Sequence, residues 1–381
     1  MWDAIDGKPP EQTQFRARIT SAVAEMVRLQ YEAGVDIISD GEMSKFGFSN
    51  YVVQRYSGFG KPAGFVATDL GDFPEVVQKI FANEGGAHLR LPNVEGPIEL
   101  RDPDAVRRDI ENLKAALGKR DPDTAFIPAV TPGQMLFNFP NLYYRTDEDY
   151  LEAAAKAISY EYQAIIDAGF NLQLDAPDLP MHSHSFAGGT GTKAVREHVP
   201  AAIEAMNEAI KGLPPEKIRL HLCWGNYAGP HHHDIELKEL IDPVLKTKAG
   251  FLYVEAANPR HEHEWEVWKQ TKLPAGKGLI VGVIDVLTNH VEHPRLVAQR
   301  LERFAGVLGR QNVLAGTDCG FGTFVGWSGC DPKVAWLKLK SLSQGAAIAS
   351  EALWSKKPQT QKAATKTKTK TKTRAKAKAK A

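Results

Sequence analysis

Seven apolar strand segments alternate with helices along the 381 residues, and this predicts a parallel α/β sheet closed as a (β/α)8 barrel without its first strand. Two further observations support the barrel. Polar side chains recur where these strands end, at Glu42, Thr131, Asp175, His221 with Cys223, Glu255, Asp285 and Cys319. A barrel gathers its site from many strand ends, whereas a doubly wound open sheet, the alternative, offers one crevice. The length also suits a single barrel.

The elements follow in order. Residues 11–33 carry Ala22, Met26, Val27 and Leu29 near one stripe and stop at Gly34, a helix with a glycine end. The strand 35–39 and the acidic loop Asp40-Gly41-Glu42 come next. Residues 46–100 are rich in glycine and aromatics and are expected to form an excursion with a small hairpin. A helix over 103–118 precedes the strand 124–130, and a helix over 148–168 precedes the strand 170–175. A helix over 192–212 leads to the stretch 218–226, IRLHLCWGN. Later pairs are the helix 234–248 with the strand 251–255, a short helix HEHEWEVWKQ with the strand 278–285, and the helix 291–309 with the strand ending at Cys319. Residues 331–350 form the last helix. One catalytic domain over residues 1–355 is expected, with a low-complexity tail over 356–381.

Composition narrows the function. Hydrophobic residues make up 43% and charged residues 24%, as in a globular protein. No apolar run approaches the ~20 residues that span a bilayer, and no signal peptide is evident, so a cytoplasmic protein is expected. Three cysteines in this length are no disulfide framework and leave thiols for metal. The net charge of +1 hides an asymmetry: eleven of the 47 Lys/Arg lie from Lys356 onward, where there are no acids. The remainder holds 36 basic against 46 acidic residues, an acidic body with no nucleic-acid footprint and no membrane face. The tail itself reads as solvated and disordered.

Within 218–226, Ile218, Leu220 and Leu222 alternate with Arg219, His221 and Cys223, so His221 and Cys223 are expected to project from one face of a strand. An imidazole and a thiol side by side suit zinc, and Glu255 and Cys319 offer further ligands at comparable strand ends. Two thiolates and one carboxylate outweigh the charge of the dication, so such a site is net −1.

Several stretches, SDGEMSKFGFSNYV, NLQLDAPDL, HLCWGN, YVEAANPRHEHE, VGVIDV and GTDCGFGTF, together resemble the catalytic barrel of the cobalamin-independent methionine synthase (UROD/MetE-like) superfamily over roughly residues 10–350. The resemblance implies a TIM barrel with zinc held by His221, Cys223, Glu255 and Cys319. It implies that Glu42 and Asp175 hold the amino group of homocysteine. It further implies a small-molecule thiol and a methyl or alkyl donor as partners. Members of the family open with a first barrel strand; this chain begins MWDAIDGKPP and shows seven strands. A histidine two residues after the VGVID-like aspartate serves the folate in methionine synthases, and Leu287 stands there, with His290 out of register.

Asp285 is expected either to orient His221 as a catalytic carboxylate or to cap its own strand end. Asn226 and Trp224 are placed at the pocket mouth, with GFGTFVG as its wall. His182 and His184 are read as an exposed or supporting pair, His231, His232 and His233 as a solvated lead-in and not a metal tract, and Cys330 as a structural thiol. The expected activity is zinc-dependent S-methyl or S-alkyl transfer of the methionine synthase type. The alternatives are an epoxyalkane:coenzyme M transferase-like enzyme, a metal-free uroporphyrinogen decarboxylase-like enzyme, and a non-catalytic binding protein.

Overall fold

The computed structural model describes residues 11–63, 68–81, 91–183, 192–326 and 328–355. The Lys-rich tail, His184 and the first ten residues, which carry expectations above, lie outside these. Helix α1 (Gln12–Glu32) begins where the Glu11 carboxylate accepts from the backbone N–H of Thr13 and Gln14. Strand β1 (Ile38–Ser39) follows it. The excursion then contributes a two-stranded antiparallel sheet of β2 (Phe59–Ala63) and β3 (Leu91–Val94), with helices α2 (Thr68–Gly71) and α3 (Pro74–Phe81) between them.

The barrel units continue through α4 (Asp104–Leu117), β4 (Ala125–Val130), α5 (Pro132–Asn138), α6 (Asp147–Asp167) and β5 (Asn171–Asp175). Next come α7 (Thr192–Ala209), β6 (Ile218–His221), α8 (Leu237–Val244), β7 (Phe251–Val254) and β8 (Gly278–Gly282). The chain closes with α9 (Pro294–Leu308), β9 (Val313–Gly316) and α10 (Pro332–Ser355). Local chemistry sets the helix starts. Thr146 caps α6 through the N–H of Asp149, and Asp147, Glu148 and Asp149 complement the helix dipole. Thr131 caps α5 in the same way, with Pro132 at its first position.

The seven parallel strands lie in the order β1-β4-β5-β6-β7-β8-β9. Their cores are apolar on both faces, as a sheet wrapped by helices requires, and every residue of β8 is buried. Among the described residues no strand pairs the outer edges of β1 and β9. This is the place of the strand expected to be missing. Leu314 on β9 and Ile37 beside β1 are 42% and 38% exposed there. Above the gap the two edges are tied by their loops: Val325 N–H donates to Phe46 O at 2.9 Å and Phe48 N–H to Thr323 O at 3.3 Å.

The excursion is anchored by a buried charge cluster. The Arg55 guanidinium reaches Asp109 of α4 at 2.5 Å and Glu161 of α6 at 3.2 Å. The hydroxyls of Tyr51 and Tyr56 donate to the same Glu161. Two cations lie over the Tyr51 ring, Lys45 at 4.4 Å and Arg55 at 4.6 Å from its centre.

Candidate metal and thiol site

The strand carrying His221 ends at His221 itself, short of Cys223, which the sequence places on the same strand. Cys223 lies in the loop beyond it. The loop is steered by Leu222, whose N–H donates to Tyr253 O on β7, and by Gly225 at φ +109°. Only glycine adopts that backbone comfortably, and a Cβ there would also strike the Tyr227 ring at 2.4 Å. The Gly225 N–H donates to Cys223 Sγ at 3.3 Å, turning the sulfur over the barrel mouth. Glu255 follows the end of β7, and Cys319 follows β9 by three residues.

These three side chains meet. The Sγ atoms of Cys223 and Cys319 are 3.0 Å apart, and Cys319 Sγ is 3.5 Å from Glu255 Oε1. One ligand atom from each of the three falls within 4.8 Å of the other two, and all three residues are buried. His221 adjoins them, its Nε2 3.8 Å from Cys319 Sγ.

The donor chemistry fits a dication. The Cys319 thiol is pushed well above its usual range by Cys223 and by burial. Cys319 lowers the Cys223 thiol through their hydrogen bond, but burial and Glu255 outweigh this and leave it raised. Acids packed this tightly hold their protons unless a cation joins them. Zinc at ~2.0–2.3 Å from its ligands separates them by about 3.3–3.8 Å in a tetrahedron. The Glu255–Cys319 spacing matches this and the two sulfurs sit closer, whereas His221 Nε2, 3.8 Å from Cys319 Sγ, lies 3.1 Å from Asp318 O and outside the group of three.

Each of these groups is held from behind. His221 Nδ1 lies 3.0 Å from Asp175 Oδ1, which also accepts from Gln173 at 2.9 Å. Burial opposes the imidazolium, but the Asp175 contact prevails and raises the His221 pKa. Glu255 accepts from Trp224 N–H at 2.9 Å and from Asn258 Nδ2 at 2.7 Å. Asp318 accepts from the N–H groups of Ala256, Ala257 and Asn258 at 2.8–3.0 Å, locking the loop after β9 to that after β7. Burial and then Glu255 push the Asp318 carboxyl up to about 8. Asn258 and Asp318 were not singled out from sequence, although they flank Glu255 and Cys319 in EAAN and TDC.

Of the two roles open to Asp285, the geometry is that of the cap. Its carboxylate accepts from Leu287 N–H at 3.0 Å and Thr288 Oγ1 at 2.6 Å, capping its own loop. Asp175 stands against His221 instead. The reason is strand order: β5 and β6 are neighbours with Asp175 and His221 in register, whereas β8 lies two strands from β6.

Glu42 sits above β1 in the left-handed region at φ 53°, a strained backbone for a residue with a side chain. Its Oε1 accepts from Lys45 Nζ at 3.1 Å, and this ammonium, buried completely, also donates to Pro128 O. Burial pushes the Glu42 carboxyl up, Lys45 draws it back, Asp175 and Asp40 push it up again, and it comes to about 7. Lys45, within the stretch SDGEMSKF, is a cation inside the site.

The remaining candidates fall around the site. Asn226 Nδ2 donates to Gly320 O at 2.8 Å and ties the HLCWGN loop to the glycine-rich wall. Val286, buried against Cys223 and Cys319, is joined by Leu287 and Phe321, so one wall beside the sulfurs is apolar. His182 stacks on His198 at 3.9 Å, and His198 lies 2.9 Å from buried Asp178; neither joins the thiol group. Cys330 is buried near Asp331 and stands apart as well.

Beneath Trp224 lies His261, with its ring 4.3 Å from the indole. Burial alone would lower this imidazole. Asp234 and Glu264, each at 2.9 Å, overcome that and push it up to about 10. A raised histidine stabilises the fold fully below its unfolded value near 6.5, and that contribution is lost as pH climbs through about 10. Between these limits wild type is expected to lose stability relative to His261→Gln by up to about 1.4 kcal/mol per pH unit. Urea unfolding at pH 7, 8.5 and 10 checks this; parallel stability curves would refute it.

A parallel α/β barrel with imidazole, thiols and carboxylate gathered at its strand C-terminal ends is the class of protein that the structure defines. The known proteins it resembles agree. The chain is 28% identical over 335 residues to a methionine synthase of Saccharolobus solfataricus, covering 87% of this chain and 84% of that one. It is 25% identical over 355 residues to the 2-hydroxypropyl-CoM lyase of Xanthobacter autotrophicus, covering 84% and 85% respectively. A B12-independent methionine synthase from Shewanella sp. W3-18-1, solved with selenomethionine, superposes with a TM-score of 0.71 over 91% of this chain and 92% of that one, at 21% identity. No family model matches the chain. The chain is thus similar in sequence to methionine synthases and has the fold of the B12-independent enzyme. Among the described residues no helix is long and apolar enough to cross a membrane.

Proposed function

We propose that this protein transfers a methyl or alkyl group to a small-molecule thiol, with zinc held by His221, Cys223, Glu255 and Cys319. The convergence of Cys223, Glu255 and Cys319 from three separate strand ends carries this reading. Zinc bound there supplies a Lewis acid that lowers the pKa of an incoming thiol, so that it reacts as a thiolate. The protein does the rest. Asp175 fixes the His221 ring, Asn258 and the Trp224 N–H hold Glu255, and Asp318 keeps the two ligand loops together. The net negative donor set keeps charge on the substrate sulfur. Glu42, with Lys45 bound to one carboxylate oxygen, faces the substrate amine in the homocysteine reading.

One observation favours a second reading. The apolar wall of Val286, Leu287 and Phe321 beside the sulfurs suits a small apolar electrophile, as in opening of an epoxide by coenzyme M. Titrating the zinc-loaded protein with homocysteine and with coenzyme M, while following proton release, separates the two. Homocysteine is expected to release about one proton per chain at neutral pH. Release with coenzyme M alone would establish the second reading. Release with neither would overturn thiol activation.

A further inference from the structure

We infer that Asp72, His232 and His233 form a second cation site, on the surface, that takes a borderline divalent transition ion such as Zn2+ and fastens the segment 68–81 to the loop leaving β6. His232 Nε2 and His233 Nε2 approach the same oxygen, Asp72 Oδ2, at 3.0 and 2.8 Å. The three donor atoms lie within 4.8 Å of one another, and all three residues are exposed. Two imidazoles and one carboxylate are a set that zinc, nickel or copper accepts and that calcium or magnesium, which prefer oxygen, does not. Water completes the coordination. The Nε2 lone pairs bind the ion, so each neutral ring carries its proton on Nδ1.

The backbone aims this pair outward. His231 adopts φ 52°, an uncommon left-handed state for a histidine. Its own ring turns inward, with Nδ1 3.0 Å from Asp234 Oδ2 and Nε2 2.9 Å from Tyr227 O. That anchor reverses the chain, so the next two rings leave together, 4.0 Å apart. Phe73, beside Asp72, meets His232 edge-on at 5.4 Å. Asp72 is 160 residues distant in sequence from His232. An ion here therefore joins the excursion to the loop that carries Cys223.

The test starts from protein already holding one zinc equivalent and adds Zn2+, in wild type, His233→Ala and Asp72→Asn, by calorimetry. Wild type is expected to take up a second equivalent, and either substitution to weaken it at least about tenfold, the least that loss of a metal-supporting group costs. Hydrogen exchange of amides in 68–81 is expected to slow at least about tenfold when that equivalent binds. The inference is overturned if no second equivalent binds, if both variants bind it as wild type does, or if exchange in 68–81 is unchanged. Cys223→Ser separates the two sites: it removes the first equivalent and leaves the second, still sensitive to Asp72→Asn. A protein that takes zinc only in this Asp72-dependent manner would sink the proposed thiol site and keep this one.

Discussion

Replacing Cys319 with Ser is expected to drop zinc from about one ion per chain to near none in protein whose surface site is removed by Asp72→Asn, and to lower thiol alkylation by at least about a hundredfold. Substitutions that merely support a metal ligand already cost ~10–100-fold, and Cys319 touches Cys223, Glu255 and the His221 ring together. A serine hydroxyl stays protonated where a thiol gives up its proton to the metal, so it cannot replace the charge. Asp175→Asn should fall inside the ~10–100-fold range, because it keeps the ring in place and removes only the charge behind Nδ1. Metal analysis by mass spectrometry with turnover of a model thiol checks both. A Cys319→Ser protein with full zinc content would refute the ligand assignment.

Arg55→Leu is expected to destabilise the fold by about 3–5 kcal/mol, the penalty for stranding buried partners of a lost charge. The guanidinium is 7% exposed, and Asp109 and Glu161 are 3% and 2% exposed. Burial disfavours its charge, yet the two carboxylates prevail and hold it firmly protonated. Urea unfolding followed by circular dichroism gives the size, and a loss below about 1 kcal/mol would show the cluster to be dispensable. The damage should reach the site as well. Tyr51, under Arg55, also packs against Lys45, which pins Glu42. The triple variant Arg55→Leu, Asp109→Leu, Glu161→Leu should recover part of the stability, since apolar replacement removes the stranded charges.

The pattern of elements was legible because it is local. Helix α1 with its Gly34 stop and the seven strands follow from periodicities over a few residues and from caps such as Thr146, whereas the two strands expected as a small hairpin pair across two intervening helices. The candidate ligands were legible because His, Cys and Glu at strand ends are unusual residues in a recurring position. What surrounds them was not. Lys45 looks like any loop lysine until Glu42 and Pro128 O close over it. The strand through Cys223 was drawn too long because alternation continues in sequence past the point where the ladder stops.

The order of residues settled the strand–helix rhythm and the chemistry offered at each strand end, since these rest on neighbours within a turn or two. The packing of the chain settled which ends meet: that Asp175 and not Asp285 stands behind His221, that Asp318 binds the loop of Glu255, and that Asp72 lies under two histidines 160 residues away. Such pairings depend on sheet order and register between distant strands, and no local periodicity carries that information.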